Sequence, residues 1–94
     1  MAHVSRNVIQ VVLAPALILL FPEAPTRVEV AAGSVAGMIA ALDVRWPGMG
    51  RMLCDERPAV RQHINIFVDG ARGTLDTPLA PGTTVYVLTA VSGG

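Results

Sequence analysis

One stretch with helical periodicity, set between two pairs of strand-like segments, constrains the fold of this chain more than any other feature. Four apolar residues have the i, i+3, i+4, i+7 spacing of one helix face: Val35, Met38, Ile39 and Leu42. Ser34 directly precedes them and can cap free N–H groups of the first turn. Trp46-Pro47-Gly48 ends the helix, because proline cannot continue its hydrogen-bond ladder. Met49–Leu53 then predicts one further short helical turn.

Two segments before this helix have the features of strands. Val8–Leu13 is rich in β-branched residues, and Pro15 ends it. Its polar Gln10 indicates which side chains point inward: Ile9, Val11 and Leu13. Thr26–Val30 alternates in the same way and predicts a second strand with its valines facing the core.

Two more strands are predicted after the helix. Ile64–Val68 is followed by Asp69-Gly70, a strong signal for a two-residue hairpin turn. Thr74–Leu79 is at most a short strand, and Arg72-Gly73 is interpreted as part of the turn. Pro81-Gly82 suits the centre of a type II turn, and Thr83–Leu88 is the last strand.

The order of these segments predicts a single α+β domain. The 94 residues, of which 52% are hydrophobic, are enough for one modest core. A ββαββ order is typical of a β-grasp (ubiquitin-like) fold, with a mixed four- to five-stranded sheet packed on one main helix. Residues 1–7 carry no periodic pattern and are expected to fray. Other α+β arrangements with one helix remain open from the pattern alone.

Composition excludes several classes of function. The formal net charge is zero and no basic block exists, which argues against a nucleic-acid partner. The chain has no lysine, so it cannot use a catalytic lysine or accept a modifier on one. Cys54 is the only cysteine, which rules out an internal disulfide or a CxxC pair. His63 has no second ligand nearby, and we predict no metal site.

Two further features are interpreted as ordinary surface and not as chemistry. Asp55-Glu56 would raise the thiol pKa of the adjacent Cys54 and thereby disfavour a reactive thiolate. Neighbouring acidic residues in a loop are also more often solvated than paired for acid–base catalysis.

The apolar stretch Val8–Phe21 raises the question of a signal peptide or a membrane segment. Gln10 and Pro15 interrupt it, no small-x-small cleavage motif clearly follows, and it is too short to span a bilayer. We therefore expect a cytoplasmic protein without a membrane partner.

The C-terminal residues 89–94 are predicted to form a flexible tail that ends in Gly93 and Gly94. Two residues without side chains can pass through a narrow channel and present an unhindered carboxylate to an enzyme. Such a carboxylate is ionised at neutral pH and unreactive until it is activated. The competing interpretation is an unstructured terminus, since glycines also collect where order ends.

Three further motifs, in order and at the right spacing, resemble the ubiquitin-like sulfur carriers of prokaryotes, the MoaD, ThiS and CysO group. Trp46-Pro47-Gly48-Met49 is similar to their aromatic-Pro-Gly-apolar segment after the helix. Asn65–Gly70 is similar to their third strand and hairpin. Pro81–Val85, with Val91-Ser92-Gly93-Gly94 at the end, is similar to the turn, last strand and tail of the group. The resemblance covers about Val8 to Gly94, and the length favours the MoaD and CysO branch.

The resemblance implies a sulfur carrier that is a cosubstrate and not an enzyme. An adenylating enzyme of the MoeB or ThiF kind would use ATP to activate the Gly94 carboxylate. A sulfur donor would then convert it to a thiocarboxylate for a downstream synthase, in molybdopterin, cysteine or thiamin-type biosynthesis. No cofactor is expected to bind the chain itself. Such a carrier can also be the small subunit of a synthase, such as molybdopterin synthase. Two alternatives stay open: a modifier conjugated to lysines of other proteins, and a purely structural β-grasp subunit.

Strand parity predicts which residues would contact the partner enzyme. If Val85 and Val87 face the helix, then Tyr86 and Leu88 face away from it, and Phe67 shares that outer face. We therefore predict a partner-binding surface made of these residues and two tail residues: Phe67, Tyr86, Leu88, Val91 and Ser92.

The run Leu17–Phe21 departs from the resembled group, whose members often carry a more polar loop there. A small core is unlikely to hold all five of these side chains, so several are expected to form an exposed apolar patch. That patch would bind a second copy or a partner protein. The alternative is that the segment, part of which can extend the first strand, covers the open end of the core.

Overall fold

The computed structural model, which describes residues 7–54, 60 and 63–89, contains one five-stranded mixed sheet and three helices. The elements in chain order are β1 (Val8–Leu13), α1 (Pro15–Leu20), β2 (Arg27–Ala31), α2 (Val35–Arg45), α3 (Met49–Leu53), β3 (Ile64–Val68), β4 (Ala71–Arg72) and β5 (Thr84–Thr89). The strand order is β2-β1-β5-β3-β4. β1 and β5 are parallel, and the other pairs are antiparallel. This is the predicted α+β, β-grasp architecture.

Alternation in the strands divides the sheet into a buried face and an outer face. The inward residues of β1, β3 and β5 are almost fully buried, as predicted. They form one core with the stripe of α2, in which Val35, Met38, Ile39 and Leu42 are all buried. Two strands begin and end one residue later than predicted. β2 is Arg27–Ala31 where Thr26–Val30 was predicted, and β5 is Thr84–Thr89 where Thr83–Leu88 was predicted.

The two turns after the helix have the predicted chemistry. Asp69 and Gly70 have φ of 52° and 83°, the left-handed pair of a type I′ hairpin. Gly82 has φ of 83°, and the Thr83 N–H donates to the Ala80 carbonyl at 3.1 Å, which closes a type II turn.

The strand that completes the hairpin lies earlier in the chain than predicted. β4 is Ala71–Arg72, which pairs with the end of β3, so Arg72 belongs to the sheet and not to the turn. The expected short strand in Thr74–Leu79 is reduced to one isolated bridge between Pro78 and Ser34. A two-residue I′ loop requires pairing to resume at once, which explains the position of β4.

The main helix is capped and connected as its sequence indicates, with one addition. The Ser34 hydroxyl accepts from the Gly37 N–H at 3.1 Å, the predicted N-cap. One carboxylate oxygen of Asp43 also accepts from the N–H groups of Gly48 and Gly50, at 3.0 and 2.9 Å. Asp43 therefore connects α2 to α3 across the Trp46-Pro47-Gly48 stop.

In the run Leu17–Phe21, the four residues Leu17–Leu20 belong to α1 and Phe21 is its C-cap, so no part of the run extends β1. Pro15 occupies the first turn of α1, where its missing N–H costs nothing. Leu17 is buried, while Leu19 and Leu20 are 83% and 57% exposed. The segment thus both covers the core and presents an apolar surface.

No helix within the described residues is long and apolar enough to cross a membrane.

Candidate functional site: the outer sheet face and the end of β5

The outer face of the sheet carries the residues predicted to bind a partner. Tyr86 and Leu88 are 44% and 37% exposed, whereas Val85 and Val87, which alternate with them, are fully buried. Phe67 on β3 pairs directly with Tyr86 and is half-buried on the same face. The strand parity deduced from the sequence is confirmed for these three residues.

Strand register extends this aromatic pair into one row across all five strands. Val12 of β1 lies beside Tyr86, and Arg27 of β2 lies beside Val12. On the other side, Arg72 of β4 pairs with Phe67. Neighbouring strands are about 4.8 Å apart, so the row spans about 19 Å. It has three apolar side chains in the middle and an exposed arginine at each end.

The neighbouring part of the face is polar. Gln10 of β1 donates from its side-chain amide to a Glu29 carboxylate oxygen at 2.7 Å. Thr84 pairs with Gln10 in the same register. The apolar row is therefore bounded on this side by hydrogen-bonding groups, as the centre of a protein interface is bounded by its polar rim.

β5, the last described strand, lies at the centre of the sheet. β5 is hydrogen-bonded to β1 on one side and to β3 on the other, and its last residue, Thr89, pairs with Ile64. Thr89 was assigned to the tail from sequence and belongs to the strand. The predicted site residues Val91, Ser92, Gly93 and Gly94 lie outside the described residues. The position from which they start is nevertheless set by a strand paired on both edges.

A groove lies near the same end of the sheet. β1 and β5 are parallel, so α1, which follows β1, begins beside the end of β5; the Ala14 N–H donates to the Val87 carbonyl at 2.9 Å. The groove has a volume of about 260 Å³. Its lining comes from the segment after α1 and the end of α2: Leu20, Phe21, Pro22, Glu23, Arg45, Trp46 and Pro47.

The remaining sequence candidates do not assemble into a second site. Among the described residues, no group of three or more His, Cys, Asp or Glu side chains could hold a metal ion. Cys54 is a half-buried thiol, and His63 is exposed. Asp55 and Glu56 lie outside the described residues.

Solved structures similar to this chain share its fold over nearly their whole length. A chain of the Amycolatopsis orientalis BexX/CysO complex superposes with a TM-score of 0.80 at 24% identity, over 92% of this chain and 99% of that one. CysO from Mycobacterium tuberculosis gives 0.79 at 22% identity, over 88% and 99%. Small archaeal modifier protein 1 from Methanosarcina acetivorans gives 0.76 at 20% identity, over 97% and 100%. No family model and no curated protein matches the chain.

These similarities show that the chain has the ubiquitin-like β-grasp fold. CysO is a member of the sulfur carrier group that the motifs resemble, so the resemblance is confirmed at the level of the fold.

Sequence reasoning missed two parts of this surface. Val12 lies in the row between Tyr86 and Arg27, and the parity of β1 would have placed it on the outer face. Arg27 was predicted to face outward, but not to lie in one row with Tyr86. The groove joins segments more than 20 residues apart, and no local pattern signals it.

Proposed function

We propose that this chain is a ubiquitin-like sulfur carrier whose Gly94 carboxylate is activated and converted to a thiocarboxylate. The observation that carries the proposal is the position of β5. A strand paired on both edges ends at Thr89, five residues before Gly94, and therefore fixes the point from which the remaining residues start. Gly93 and Gly94 have no side chains that would obstruct a narrow channel.

The chemistry proceeds in two steps. An oxygen of the Gly94 carboxylate attacks the α-phosphorus of ATP, and pyrophosphate leaves with the electrons of the broken P–O bond. A sulfide-level donor then attacks the acyl carbon of the adenylate and releases AMP. The product is a C-terminal thiocarboxylate, whose sulfur a downstream synthase transfers to its own substrate.

Each step is catalysed by partner proteins, and this chain is their cosubstrate. The outer face, with Phe67, Tyr86 and Leu88, binds the adenylating enzyme, which is of the MoeB or ThiF kind. Aromatic residues are enriched at the centres of such interfaces. The MoaD and CysO branch is favoured. We therefore prefer a sulfur acceptor in molybdopterin or cysteine synthesis over one in thiamin-type synthesis. As the small subunit of a synthase, the chain would deliver sulfur directly within that complex.

A protein modifier is the second candidate function. It is favoured by the similarity to a protein named as a modifier. Modifier and carrier share the adenylation step and differ in the nucleophile that follows, an amine instead of sulfide. Because this chain has no lysine, it cannot itself accept a further copy through an isopeptide bond. Conjugates would therefore carry one copy at each target lysine.

Removing Gly94 tests the proposal. We expect ATP–pyrophosphate exchange by a cognate adenylating enzyme to be lost, because the reacting carboxylate is displaced by one residue. Asp76→Ala, in an exposed loop outside the predicted partner-binding residues, is the control and should retain exchange. Equal exchange by full-length and shortened chains contradicts the proposal.

Intact-mass analysis of protein purified from cells separates the two candidates. A carrier shows the mass change of one oxygen replaced by sulfur. A modifier appears in branched adducts with other proteins. Full biological function without Gly93-Gly94 would select the structural subunit instead.

A further inference from the structure

Among the large apolar side chains that the structure describes, those with the highest exposed fractions lie away from the outer face. Leu19 of α1 is 83% exposed and Val44 of α2 is 82% exposed, whereas Tyr86 on the outer face is 44% exposed. Leu20, beside Leu19, is 57% exposed. Side chains of this size are normal singly on a surface, but several close together mark an interaction site.

A groove lies between the end of α1 and the end of α2; Leu19 and Val44 are next to its lining residues but do not line it themselves. Leu20 and Arg45, the neighbours of Leu19 and Val44, line it together, and its floor and walls include Phe21 and Trp46. Ile18 and Phe21 pack against the core from α1, and Trp46 does so from the end of α2. The groove is therefore supported by the core and provides a firm apolar surface.

The groove contains one charge of each sign. Glu23 and Arg45 both line it, and within the described residues neither has an ion-pair partner. The Arg45 guanidinium lies 6.0 Å from the centroid of the Trp46 ring, which keeps it beside the apolar wall. A partner that fits this groove must supply an apolar surface together with a cation opposite Glu23 and an anion opposite Arg45.

A second copy of this chain meets all three requirements. A two-fold axis brings the same surface of two protomers together, so any residue i that contacts j is matched by j contacting i. We propose that this groove and the exposed leucines of α1 form a two-fold symmetric interface between two copies. Glu23 of each protomer lies opposite Arg45 of the other, around a centre made by Leu19 and Leu20. This interface is independent of the carrier chemistry and leaves the outer face uncovered.

The first experiment measures mass in solution by sedimentation across a micromolar to millimolar range of protein. The wild-type chain is expected to pass from monomer to dimer as its concentration rises. The double variant Leu19→Ser, Leu20→Ser is expected to remain monomeric. Both side chains are exposed, so its thermal midpoint should be almost unchanged, which shows that the variant is folded.

A charge exchange tests the pairing itself. Glu23→Arg and Arg45→Glu each place like charges opposite one another in the dimer, so each variant alone should be monomeric. The double variant restores opposite charges and should dimerise again. An equimolar mixture of the two single variants should form the mixed dimer, because their reversed charges are complementary. Arg27→Glu, on the outer face, is the matched control and should dimerise like wild type.

Three results would overturn the proposal. The first is a wild-type chain that stays monomeric throughout the range. The second is a dimer that the leucine and single charge variants leave intact. The third is a dimer that Arg27→Glu abolishes, which would place the contact on the outer face. If the wild type is monomeric and the leucine variant loses affinity for an adenylating enzyme, the groove binds that enzyme and not a second copy.

Discussion

At the scale of single residues, the two sides of β5 differ in their exposure to solvent. Val85 and Val87 are fully buried and hold the strand in the core, while Tyr86 between them is 44% exposed. Large aromatic side chains are costly to leave in water, yet their partly exposed positions often matter more for binding than for folding.

We therefore expect Tyr86→Ala to weaken binding of the adenylating enzyme by about 2 kcal/mol or more. The free energy of unfolding should change less, because much of the ring is already in water. Titration calorimetry and urea unfolding measure the two quantities. Asp76→Ala, an exposed loop substitution, is the control and should change neither. Unchanged affinity with a large loss of stability would mean that Tyr86 is a structural residue.

At the scale of elements, the turns and caps depend on backbone conformation more than on side-chain contacts. Gly82 has φ of 83°, and a Cβ there would meet no atom within 4 Å. The need for glycine at this position is thus purely conformational. Gly37 is different, since it lies in the first turn of α2 with no positive φ, and a Cβ would make ordinary contact with Ser34 at 3.4 Å.

Alanine substitutions at these two glycines are expected to have opposite effects. Gly37→Ala should stabilise the protein by about 0.5 kcal/mol, since glycine is entropically unfavourable in a helix. Gly82→Ala should destabilise it by about 1 kcal/mol or more, because alanine is strained at positive φ. For a domain of this size, 1 kcal/mol lowers the thermal midpoint by about 4–8 °C. Thermal unfolding followed by circular dichroism checks both signs, and equal shifts in one direction would contradict the argument.

At the scale of the whole molecule, β5 lies at the centre of the described sheet and precedes the C-terminal residues for which we propose a reaction. β5 is the only strand that joins the β1–β2 pair to the β3–β4 pair in the described sheet. Removing it would leave the edges of β1 and β3 unpaired and expose the core. The pairing described for β5 runs as far as Thr89.

We expect deletion of Gly93-Gly94 to leave the thermal midpoint unchanged. Deletion from Thr84 onward should abolish cooperative unfolding, because it removes two strand pairings and the buried Val85 and Val87. Calorimetry of the two shortened chains provides the measurement. A cooperative transition in the chain without β5 would show that the sheet does not depend on its centre.

The sequence by itself determined the elements whose signals are local. Each of these signals arises from residues within a few positions of one another. They are the apolar stripe of α2, the Ser34 cap, the alternation in β1 and β3, and the turns at Asp69-Gly70 and Pro81-Gly82. The side-chain period of a strand is two, so strand parity alone also placed Tyr86, Leu88 and Phe67 on the outer face.

Only the tertiary structure decided what joins distant segments. The parallel pairing of β1 with β5 connects residues more than 70 positions apart, and it brings Val12 and Arg27 into the row with Tyr86. The run Leu17–Phe21 has no local pattern that separates strand from helix. Leu17–Leu20 are helical because Pro15 suits the first turn of a helix and because the helix buries Leu17 in the core. Leu17 and Ile18 pack on the core while Leu19 and Leu20 are exposed, because only one side of a helix can face the core. Which side does so depends on the packing of residues that are distant in sequence.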